Sequence, residues 1–247
     1  ARFQAFPFQP PSSQDVIVVV IDEKTQVGLE FPDKVGGKGA PRTWPWEREI
    51  YGRMITYLNH CGAKAVVIDL DFSSESKKAH NDELFANMFI RKNSRLPVIT
   101  GMEFKKEKPE FAELQSFRKS DLPPRPSALR FGPPWPDEGY NTVYPPVFSI
   151  SSASSDIGVM NFSSDEDGVA RHMKLTYAFG GNAYYPLAYC AAQKSGLKIV
   201  HAPGDKNGLM LIKWYDWLKD PKDYYTALAL LHSHDVSAQK GVAEHAR

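Results

Sequence analysis

Two apolar, β-branched runs set the pattern of this chain: VIVVVI at Val16 to Ile21 and AVVIDL at Ala65 to Leu70. Runs of this kind, without polar alternation, predict strands buried on both faces, as in a parallel sheet. Between them, Glu47 to Cys61 carries Ile50, Met54, Tyr57, Leu58 and Cys61 at helical spacing. Pro45 suits its start and Gly62 its stop. A second helix is predicted from Asp82 to about Lys92, capped by Asn81, with Leu84, Phe85, Met88 and Phe89 inward. Leu96 to Thr100 reads as a third strand. Strand, helix, strand, helix, strand in this order implies parallel strands with right-handed crossovers.

The remaining pattern is less regular. Glu23 to Trp44, with Gly36, Gly37 and Gly39, reads as one long loop. Glu103 to Val147 is a Pro-rich excursion, with paired prolines at 123–124, 133–134 and 145–146. Ile157 to Phe162 and Val169 to Ala178 flank the turn SSDEDG and predict a β-hairpin. A helix from Pro186 to about Ser195, a strand from Leu209 to Trp214, a helical segment from Tyr224 to Leu231 and a polar, frayed tail from 233 to 247 complete the chain. The predicted fold class is α/β. It has a central, mostly parallel sheet of β-α-β units with flanking helices, plus an antiparallel hairpin and the long Pro-rich excursion, all in one domain.

Charge narrows the function. Lys plus Arg number 30 and Asp plus Glu 29, a net charge of +1, which gives no electrostatic reason to expect nucleic acid. No apolar run approaches the ~20 residues of a membrane span. Cys61 and Cys190 sit in predicted helices and read as two free buried thiols, with a single disulfide as the alternative.

Three constellations can carry chemistry. If the first two strands are neighbours, Asp22, Asp69 and Asp71 meet at one sheet edge, where they can hold Mg²⁺ as in an α/β hydrolase. The simpler reading makes each a turn cap. Trp44-Pro45-Trp46-Glu47-Arg48 forms a stiff apolar corner, either an anion- or aromatic-binding site or a clasp in which Arg48 pairs with one of those acids. Ser163 to Gly168 imitates the start of a calcium loop, but Lys174 stands where the bidentate Glu belongs, so an acidic turn is the better reading. No G-x-S-x-G, P-loop or H-E-x-x-H pattern occurs. No catalytic residue, metal or cofactor is predicted.

Taken in order, these motifs resemble the second class of CHASE domains, sensory extracellular domains associated with cyclases and histidine kinases. The matching features are the strand ending in Ile21-Asp22, the Trp44-Pro45-Trp46-x-Arg48 corner, Gly62-Ala63-Lys64-Ala65 and Ile68-Asp69-Leu70-Asp71-Phe72. They continue with Asp82, Pro97-Val98, Gly158-x-x-Asn161 followed by Asp165-x-Asp167-Gly168-x-x-Arg171, and Tyr185-Pro186-Leu187-Ala188. The resemblance implies a non-catalytic sensor on the extracytoplasmic face of a bacterial plasma membrane, in a receptor with a cytoplasmic cyclase or kinase output. Residues 1–15 then read as a lead-in from a removed membrane helix. The expected partners are the membrane, through flanking helices, an unknown small-molecule or protein signal, and a second copy in a parent homodimer. A dimerisation module without a ligand is the other alternative.

Overall fold

The computed structural model describes residues 16–30, 42–78, 80–89, 96–108, 139–162, 166–168, 170–179, 182–196, 209–211 and 224–232. The chain divides into two compact units, Ala1–Tyr57 with Lys213–Arg247, and Leu58–Ile212, the boundary falling inside a helix.

In the first unit, β1 (Val18–Val20) pairs in parallel with β10 (Tyr224–Thr226), Val19 opposite Tyr225. A helical turn at 227–232 follows β10, so the helix expected from Tyr224 begins after a strand. The expectation that β1 is buried on both faces fails: Val16 and Ile17 are 44% and 57% exposed and β1 itself is half-buried. Pairing with β10 covers an edge of β1 and not its faces, so it leaves these side chains accessible. The predicted loop after Asp22 instead opens with helix α1 (Glu23–Glu30). Asp22 Oδ1 accepts the Thr25 amide at 2.8 Å and the Thr25 hydroxyl, so the acid that ends the strand caps the helix.

Helix α2 (Arg48–His60) begins in this unit, burying Ile50, Tyr51, Met54 and Ile55. It ends in a Schellman motif, with Gly62 at φ +80°. The Gly62 amide donates to the Asn59 carbonyl and the Ala63 amide to the Leu58 carbonyl, each at 3.1 Å. Cys61, predicted inward, is exposed because it sits in this terminating turn rather than on the helix's buried stripe.

The second unit holds the mostly parallel sheet. Central β3 (Val98–Lys105) pairs in parallel with β2 (Val66–Ile68) on one edge and with β5 (Asp156–Val159) on the other. Antiparallel β4 (Thr142–Tyr144) extends the sheet at the far end of β3. The β2-α3-β3 unit is as predicted, with α3 spanning Asn81–Phe89. Two details differ. Val67 is 41% exposed. Leu84, predicted inward, is 61% exposed, while Phe85, Ala86 and Phe89 form the buried stripe of α3.

Strand β3 runs five residues past its predicted end, and β4 pairs with this extension. The two ends of the Pro-rich excursion are therefore sheet, and residues 109–138 lie outside the described residues. The sheet's aromatic face gathers Met102, Phe104, Val143, Ile157, Val159, Tyr177 and Tyr184. On the other face, Ile99 meets Leu187 and Cys190 of α5 (Leu187–Lys194). Here β5 and α5 touch closely: a Cβ on Gly158 would lie 2.4 Å from Leu187 Cα.

The predicted hairpin is rewired. β5 is a parallel strand of the main sheet, β6 (His172–Lys174) pairs antiparallel with β9 (Leu209–Leu211), and the hairpin is β7 (Tyr177–Phe179) with β8 (Asn182–Tyr184). Apolar Ile157 and Val159 suit either role. What decides is β3, whose second edge needs a partner for its buried peptide groups.

Candidate functional site: a polar cleft at the carboxyl end of β2

Ligands in open α/β sheets favour the carboxyl ends of parallel strands. At the end of β2 the chain forms a braced loop leading to α3. Asp71 Oδ1 accepts the Ser73 amide at 2.8 Å in a local turn. Phe72, 1% exposed, drives its ring toward α3, 5.4 Å from Phe85, whose own neighbour is Phe89 at 4.8 Å. The Phe72 carbonyl accepts the Val147 amide at 2.8 Å, which ties the loop to the start of α4 (Phe148–Ala153). The Ser76 amide donates to Asp82 Oδ2 at 2.7 Å, and Asn81 Nδ2 donates to Ser76 Oγ at 3.0 Å. Asn81 and Asp82 are both buried by this closure.

Loop, first turn of α3 and start of α4 enclose a cleft of about 250 Å³. Glu75, Ser76, Lys78, His80, Asp82 and Glu83 supply its polar wall, and Val147, Phe148 and Ser149 its other side. His80 Nδ1 lies 4.0 Å from Glu83 Oε2 at the rim, with the His80 backbone in the left-handed region at φ +61°. Phe148 is 76% exposed, unlike the buried Phe72, Phe85 and Phe104. Glu75, His80 and Phe148 belong to none of the motifs of the sequence. A Phe directly after Pro145-Pro146-Val147, at the start of a helix, was the available signal.

Among the described residues β1 is hydrogen-bonded to β10 in the first unit and β2 to β3 in the second. Asp22 caps α1 in the first unit, while Asp69 and Asp71 are exposed in the second, Asp71 serving its turn. Among the described residues no group of three or more His, Cys, Asp or Glu side chains is placed to hold a metal ion.

The Trp corner forms within the first unit. Trp46 is buried and stands 5.1 Å edge-on to half-exposed Trp44 and 6.0 Å from Tyr51, with a cis Trp44–Pro45 bond. Burial pushes the Tyr51 phenol up to about 12, against the opposing influence of the Arg48 charge and a hydrogen bond from the Trp46 backbone. Arg42 pairs with Glu49 at 3.7 Å. These rings pack around the start of α2.

The predicted hairpin residues turn out to bind strands together. Asn161 Oδ1 accepts the Phe104 amide at 2.7 Å, its Nδ2 donates to the Phe104 carbonyl at 2.7 Å, and its own carbonyl accepts the Tyr177 hydroxyl at 2.6 Å. Arg171 makes a two-pronged pair with Asp167 at 2.8 and 2.7 Å, across a turn in which Gly168 takes φ +78°. Asp165 lies outside the described residues.

A family model for the CHASE2 domain matches residues 1–244. The chain belongs to the CHASE2 domain family. Comparison with individual characterised proteins and with solved structures gives no match. CHASE2 domains are sensory, extracellular domains of cyclase- and kinase-linked receptors rather than catalytic ones. In this CHASE2 domain the Gly158-x-x-Asn161 motif has a physical reading: the glycine admits α5 against β5, and the asparagine prolongs the ladder of β3. No helix among the described residues is long and apolar enough to cross a membrane.

Proposed function

We propose that this CHASE2 domain is the extracytoplasmic signal-input domain of a bacterial membrane-anchored receptor and passes its stimulus to a cytoplasmic nucleotide cyclase or kinase. The family match over residues 1–244 carries the reading. In this reading the parent receptor is a homodimer. The stimulus, a small molecule or a protein, shifts the population between two packings of the domain, and a ligand can do so only by binding one packing better than the other.

Exposed Cys61 supplies a direct test of placement. In intact cells carrying the parent receptor, a membrane-impermeant maleimide is expected to label Cys61 before the cytoplasmic membrane is opened, and a Cys61→Ser control is expected to lose that label. Labelling only after lysis would overturn the extracytoplasmic reading. Loss of stimulus-dependent nucleotide or phosphoryl output on deleting the domain tests the input role.

A further inference from the structure

We draw no further inference here: the strongest candidate, the outer edge of β2 with its exposed Val67, pairs with no strand among the described residues, and nothing in the structure shows what covers it.

Discussion

Asn161 stands beside Phe104 as a neighbouring strand would, its side-chain amide closing both backbone hydrogen bonds of that residue at 2.7 Å. Asn141 does the same at Glu107, accepting the amide at 2.8 Å and donating to the carbonyl at 2.7 Å, but in an exposed setting. Removing a partner matters most where water cannot replace it. Asn161→Ala is expected to cost about 1–3 kcal/mol in urea unfolding, and Asn161→Asp more, because a carboxylate would face the Phe104 carbonyl. Asn141→Ala should cost under about 1 kcal/mol, water taking its place. Equal losses at the two sites would refute this account.

Gly158 and Gly101 are both crowded, by different neighbours. A Cβ on Gly158 meets the backbone of Leu187, whereas one on Gly101 meets the Met160 side chain, Sδ at 2.0 Å. A thioether can swing away and a helix backbone cannot. Gly158→Ala should therefore destabilise the domain by about 1–3 kcal/mol or more, and Gly101→Ala by less. Thermal melts of the two variants check the order, and the reverse order would contradict it.

The two thiols should differ sharply. Burial, with Asp156 nearby, pushes the Cys190 thiol up to about 12, so it stays protonated at neutral pH, while Cys61 is exposed. An aromatic disulfide reagent at pH 8 is expected to titrate one thiol in the native chain and two after denaturation. Cys61→Ser should remove the native reaction. Rapid modification of both thiols in the native protein would count against the buried position.

Asp22 links the first unit to pH. Partial burial raises its carboxyl, but hydrogen bonds from the Thr25 hydroxyl and amide, with the Lys24 charge, outweigh this and hold it below the ordinary 3.8. A depressed folded value means the carboxylate's stabilisation is complete above 3.8 and is lost as pH falls through the folded value. Asp22→Ala should cost about 1 kcal/mol at pH 7 as a lost helix cap. Asp22→Asn keeps a capping oxygen without the charge, so its deficit should close below pH 3.8. Urea midpoints at neutral and acid pH measure it, and a deficit that persists in acid would rule out the charge as its source.

Periodicity made α2, α3 and α5 legible, because each helix needs a buried stripe and carries it in its own residues. Gly62 marked the end of α2, since the turn requires a positive φ there. The candidate site was only partly legible. Asp71 was singled out, yet the cleft beyond it depends on Ser76 reaching Asp82 and on Val147 reaching the Phe72 carbonyl from 75 residues away. Glu75 and His80 look like any polar loop until Val147 to Ser149 form the other side of the cleft. Helix α1 was missed because its apolar content is slight and its strongest signal is one capping Asp.

By itself the sequence determined the α/β class, the β2-α3-β3 unit and, through its ordered motifs, the CHASE2 family. These follow from local residue spacing. Strand partnership was decided by the tertiary structure: β5 joins β3 rather than folding back on β6, and β1 takes the distant β10. An apolar strand offers the same edge to any partner. Its choice is fixed only when every buried peptide group along β3, down to the two bonds made by Asn161, has been satisfied at once.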